Sequence, residues 1–223
     1  MQLFHIHPIS DRALNDTFSP RLSRDTVLRA ALDLLNEVGI DALSTRRLAE
    51  RLGVQSPTLY WHFKNKAELL AAMNEAILEQ HQQSLPNRSL SWQEGFVANA
   101  HSFRRALLAY RDGARLHAGT RPHGAQFEAL EAKLALMHGA GFEPGQAIGL
   151  MLAISRFVVG WVLEEQAAPE GGQLGGDGPD PTRHPLSARG WQTLAAQAPD
   201  EVFDRQLRLF VAGAQAMLAK DGA

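Results

Sequence analysis

The chain contains no cysteine. Disulfides and thiolate metal sites are therefore excluded, which fits a reducing cytoplasm without proving it. It also lacks a charge excess, with 22 Lys and Arg against 24 Asp and Glu, a formal net charge of −2. That balance argues against a general nucleic-acid coat. Nucleophile elbow, phosphate loop, zinc-binding helix and dinucleotide fingerprint are all missing, so an enzyme would rest on generic acid–base residues such as His117 with Glu164 or Asp112. The glycine-rich stretch from Gly171 to Pro179 has neither a following Lys-Ser/Thr nor a flanking strand, and reads as a flexible loop over about 169–183. A secretory signal is absent too. The start is not basic, and His5, His7, Pro8 and Asp11 interrupt any apolar core, so residues 1–20 are expected to be a disordered arm. Ala147–Leu163 alone invites a membrane reading. Arg156 sits inside it, at a cost of about 2.5–3.5 kcal/mol at a bilayer centre. A helix buried within a bundle or dimer fits better, and no membrane partner is expected.

What is present is helical pattern throughout, in a chain of 223 residues that is 45% hydrophobic. The expected fold is all-α, a three-helix head over residues 21–66 and a larger body over 67–223. Within 20–66, eight Lys and Arg face five Asp and Glu, a local balance of +3 that leaves −5 elsewhere. A basic head on an acidic body suits docking one end onto a phosphate backbone.

The head is punctuated at each boundary. Val27, Ala30, Ala31, Leu34, Leu35 and Val38 recur at helical spacing until Gly39 stops the run. Ser44 or Thr45 caps a second helix, and Gly53 turns the chain into a third. Ser56 is expected to cap that third helix with Pro57 at its first position. Asn65 and Glu68 then form a capping box for the next helix. Three apolar faces that can bury only against one another describe a helix-turn-helix, with its last helix shown to the major groove. An ordinary bundle with a charged face is the blander alternative.

These residues carry a resemblance. Thr45-Arg46-Arg47-Leu48-Ala49 and Pro57-Thr58-Leu59-Tyr60-Trp61-His62 make residues 22–83 similar to the DNA-binding head of the TetR family of repressors. The chain further resembles the family's tetracycline-responsive subgroup in Ser102–Leu108, Tyr110–Ala114, His117-Ala118-Gly119-Thr120-Arg121-Pro122, Gly160 and Val162–Glu164. The resemblance implies a cytoplasmic dimeric repressor that binds a palindromic operator in double-stranded DNA and is released by a small-molecule effector. It implies base contacts from Arg46 and Ser56–Tyr60, including Pro57 and Thr58. Backbone contacts would come from Ser44, Thr45, Tyr60, Trp61, His62 and Lys66. Ser56 departs from the subgroup, whose base-reading Gln stands there; Gln55 could substitute, or the operator could differ.

In the body, the resemblance implies an effector site of Gln82, Asn99, Phe103, His117, Thr120, Arg121, Pro122, Lys133 and Glu164. Leu130, Ile148, Met151 and Ser155 would line its apolar part. His117 would ligate a Mg²⁺ that arrives with the effector, with Thr120 and a partner subunit's Glu164 holding metal-bound water. A lone histidine is more often a satisfied structural one, and metal binding stays open. Gln82 replaces the subgroup's ring-contacting His, and Lys133 its ring-contacting Gln. Lys133 brings a cation with three donors and no acceptor, so an anionic aromatic or polyketide effector stands beside a tetracycline-like one. A dimeric regulator without a small-molecule effector is the remaining alternative.

Phe203, Leu207, Phe210, Val211, Ala214 and Leu218 make one apolar stripe near the C-terminus. It is expected to pair with the Ala147–Leu163 helix across a two-fold axis, where Gly149, Gly160 and Gly213 permit close contact.

Overall fold

The computed structural model describes residues 22–83, 90–120, 125–168 and 178–221. The expected N-terminal arm with His5 and His7, the residues Arg121 and Pro122, and most of the glycine-rich loop lie outside these. Among the described residues the regular structure is entirely helical: α1 (Arg24–Ala42), α2 (Thr45–Leu52), α3 (Ser56–Leu59), α4 (Lys66–Gln83), α5 (Trp92–Leu108), α6 (Gly113–Ala118), α7 (Ala125–Gly139), α8 (Pro144–Ala167), α9 (Pro185–Ala195) and α10 (Pro199–Asp221).

Local chemistry sets the ends of the first helices. Ser23 Oγ accepts the Thr26 amide at 3.0 Å and opens α1. Val27, Ala31, Leu34 and Leu35 are buried. Gly39 breaks the run at φ +76°, and one further turn follows to Ala42. Ser44, rather than Thr45, caps α2 by accepting the Arg47 amide at 3.2 Å. Gly53 closes α2 in the left-handed region.

The start of α3 corrects one expectation. Gln55 is the cap residue, without a side-chain bond, and Ser56 and Pro57 are the first two helical positions. The Thr58 amide already donates to the Gln55 carbonyl at 2.9 Å, so the turn begins a residue early. Proline's missing N–H still costs nothing there. The box at the start of α4 is also shifted. Asn65 Oδ1 accepts the Glu68 amide, but the Glu68 carboxylate reaches back to the Lys64 amide at 2.9 Å.

From there α4 runs out of the head, packing on α1 at one end and on α5 and α6 further along. Leu69, Met73 and Ile77 are buried along it. Ser91 and Glu94 complete a reciprocal capping box on α5. At the centre of the body, α8 packs on α5, α6 and α7 through Ala147, Ile154, Val158 and Val162. It is long and apolar enough to cross a membrane, with 22% of its most apolar window buried.

Part of the α10 stripe is covered within a single chain, which the sequence reading did not foresee. Phe203, Leu207 and Ala214 are buried in their own chain. Phe203 stacks on Phe157 at 5.4 Å and lies under the Arg104 guanidinium at 4.8 Å. Arg104 itself makes two bonds to Glu165 on α8 and one to Asp200 on α10, tying three helices together. What α10 leaves open is the face carrying Leu209 and Met217, and α8 leaves Ile148 and Leu152.

A second tie joins head and body. The Ile40 amide donates to Asp112 Oδ2 at 2.9 Å, Arg111 Nη1 donates to the Glu37 carbonyl at 3.0 Å, and Arg115 makes two bonds to Asp41. Asp112 holds this geometry from the left-handed region at φ 56°. The end of α1 therefore grips the α5–α6 turn.

Candidate functional site

Two regions collect the functional candidates, one on the head and one inside the body. On the head, Ser44, Thr45, Arg46, Gln55, Ser56, Pro57, Thr58, Tyr60, Trp61, His62 and Lys66 all lie at least partly open to solvent. Leu48, Leu59 and Phe63 point the other way into the core. The packing thus sorts α2 and α3 into an apolar inner face and a polar or aromatic outer one. Trp61 is 89% exposed, a large apolar ring left in water. Arg46 is paired with Glu50 one turn on at 2.9 Å, with both side chains well exposed. Such a pair is worth at most about 1 kcal/mol and is readily surrendered to a base or phosphate.

The body forms an open-sided cavity of about 540 Å³ between α4, α5, α7 and α8. Its size suits a drug-sized ligand. Gln82, Asn99, Phe103, Leu130, Lys133, Ile148, Met151 and Ser155 line it. His117, Thr120 and Glu164 do not. His117 sits behind the wall, its ring edge-on to Phe103 at 4.9 Å. The Asn74 Oδ1 amide oxygen lies 3.0 Å from its Nδ1 and can only accept, so Nδ1 carries the hydrogen and Nε2 keeps its lone pair. Burial holds the ring's pKa below the usual histidine value. The Thr120 hydroxyl donates to the His117 carbonyl at 2.9 Å. Glu164 lies on the exposed side of α8.

Sequence reasoning missed part of the lining. Glu75, Leu78 and Glu79 join Gln82 on α4, and Leu152 and Val158 join Met151 and Ser155 on α8. Both sets follow helical spacing from residues already chosen, so extending each face by turns finds them. His81 was missed as well. Its Nδ1 lies 2.8 Å from Ser102 Oγ, and its ring lies against Phe103 at 5.6 Å. Burial, helped by the nearby Lys133 charge, pushes its pKa down to about 4, so the ring is neutral at physiological pH.

Three polar groups in the cavity stand out. Gln126 Nε2 is buried without a hydrogen-bond partner, and Asn99, 8% exposed, is a side-chain hydrogen-bond partner of His81. Buried polar atoms are normally satisfied. Lys133 is partly buried, and burial alone pulls its pKa down to about 8. The described residues include no cluster of three His, Asp or Glu that could hold a metal by themselves.

The geometry has counterparts elsewhere. Residues 27–73 match the family described as bacterial regulatory proteins, tetR family, and residues 85–218 match the tetracyclin repressor-like C-terminal domain. The class A tetracycline repressor protein from transposon 1721 of Escherichia coli is 50% identical over 86% of this chain and 90% of its own. Among solved structures, TetR(class A) in complex with 5a,6-anhydrotetracycline and magnesium is 45% identical, covering 86% of this chain and 97% of that one, with a TM-score of 0.67. TetR from Acinetobacter baumannii AYE is 43% identical, covering 89% of this chain and 99% of that one, with a TM-score of 0.73.

Proposed function

The chain belongs to the tetR family of bacterial regulatory proteins, and we propose from that premise how it works and what it senses. It is a ligand-responsive DNA-binding repressor, not an enzyme. Residues 21–66 form the DNA-reading head, and residues 67–223 form the effector and dimerisation body. The protein acts in the cytoplasm as a homodimer on a palindromic operator, because two recognition helices one DNA turn apart bind far better than one. The open apolar face of α10, with Leu209 and Met217, supports that pairing. So do Gly149, Gly160 and Gly213, at each of which an added Cβ would meet nothing within 4 Å in a single protomer.

One observation carries the mechanism. The helix that leaves the head, α4, also forms a wall of the cavity through Glu75, Leu78, Glu79, His81 and Gln82. A ligand that prefers one position of α4 therefore biases where the heads sit. It releases DNA only by binding the released arrangement more tightly than the DNA-competent one.

A tetracycline-type chelate is the effector we favour, with Mg²⁺ brought by the ligand. A single imidazole is a poor site for Mg²⁺, which prefers oxygen donors. The residues fit the ion only if the ligand and waters supply the rest. His117 Nε2 would then be the protein's direct donor, reached past Phe103 because His117 and Thr120 stand outside the cavity lining, and Thr120 and the partner's Glu164 would hold metal-bound water. When bound, the ion would fix the orientation of the chelating ligand.

Thermal-shift and fluorescence titration of the wild-type protein with tetracycline tests this. Stabilisation should require Mg²⁺ and reach about 2.7 kcal/mol at a hundredfold excess over Kd. His117→Ala should lose the metal dependence. No shift with or without Mg²⁺ would remove tetracycline as effector.

A further inference from the structure

We propose that the effector carries an ionised acidic group, a carboxylate or acidic enolate, that seats on Lys133 inside the cavity. The inference rests on the cavity being the effector site and adds the chemical class of what enters it. Lys133 lines the cavity from α7, and among the described residues its ammonium has no hydrogen-bond or ion-pair partner. An ammonium taken partly out of water without a counter-charge is costly. Glu75 and Glu79 line the same cavity from α4, but among the described residues no ion pair joins either to Lys133. A ligand acid would supply that counter-charge.

One other polar atom adds to the recognition pattern. Gln126 Nε2, buried and unanswered, offers a donor. Around Lys133 and Gln126 stand Phe103, Leu130, Met151 and Val158. The matching ligand is flat and largely apolar, with an acid at one edge and a carbonyl acceptor for Gln126. A site built around unpaired polar groups rejects a ligand that leaves them unpaired more strongly than an apolar pocket rejects a misfit.

The test uses the full chain with 4,5-dihydroxyanthraquinone-2-carboxylate and the corresponding carboxamide as probes, titrated calorimetrically both with Mg²⁺ and in EDTA. The carboxylate should bind wild type at least about tenfold more tightly than the carboxamide, as expected for a charge-assisted contact. The preference should vanish in Lys133→Gln and persist in Lys133→Arg, with unliganded melting curves confirming that both variants fold. Failure of both probes to bind, equal affinity of the two, or a preference unchanged in Lys133→Gln would overturn the proposal. Release of operator DNA is read separately by mobility shift. Tight, Lys133-dependent binding without release would uphold the acidic-ligand assignment and sink the effector reading instead.

Discussion

Gly113→Ala is expected to lower the melting temperature by about 6–12 °C. A Cβ at this position would lie 2.2 Å from the Leu107 carbonyl oxygen, inside any tolerable contact. The obstacle is backbone, and it is not free to retreat. Leu107 O accepts the Tyr110 amide at 3.4 Å and Gln166 Nε2 from α8 at 3.4 Å. Moving it would loosen the turn whose next residues, Arg111 and Asp112, hold the end of α1. Overpacking of this kind costs about 3 kcal/mol, and each kcal/mol is worth about 2–4 °C in a chain of this length. The variant should also respond poorly to ligand, because Gly113 begins the helix that carries His117. A melting temperature within about 2 °C of wild type would show that the turn relaxes, since the full overpacking cost would then be missing.

Arg46→Ala should cost about 5–150-fold in discrimination at one base pair while leaving binding to mismatched DNA nearly unchanged, the 1–3 kcal/mol of a bidentate guanine contact. Lys66→Ala should do the reverse, weakening matched and mismatched duplexes alike and reducing the salt slope by about one. Both side chains are exposed, and Arg46 gives up only a solvent-facing partner in Glu50, so neither change should alter the melting curve. Competition binding with matched and scrambled duplexes over a salt series separates the two roles. Parallel losses on all sequences in both variants would contradict the division of labour.

Much of the head was legible because its signals are local. Ser44, Gly53 and Asn65 there, like the Ser91–Glu94 box in the body, act within one helical turn, so sequence spacing is nearly the whole physics. The one-residue error at Ser56 reflects a backbone bond that no side chain announces. Partnership over distance was harder. The α10 stripe shows from its period that one face is buried, yet the period is the same whether Phe203 meets Phe157 of its own chain or a second copy. The grip of Asp112 and Arg115 on α1 joins residues more than 70 positions apart, and exposed charges give no hint of their partners. His81 was hidden by its neighbour Gln82, which the family resemblance singled out. Only the fold shows that both reach the cavity.

The central claim is that a ligand in the cavity moves α4 and takes the heads off DNA. Fluorescence anisotropy of a labelled palindromic duplex, selected by the protein from a random pool, tests it directly when tetracycline and Mg²⁺ or the anthraquinone carboxylate is added. A fall to the free-DNA value at saturating ligand, lost when Ser155→Trp fills the cavity, is the predicted result. Unchanged anisotropy with a ligand that calorimetry shows to be bound would contradict the coupling of cavity to head.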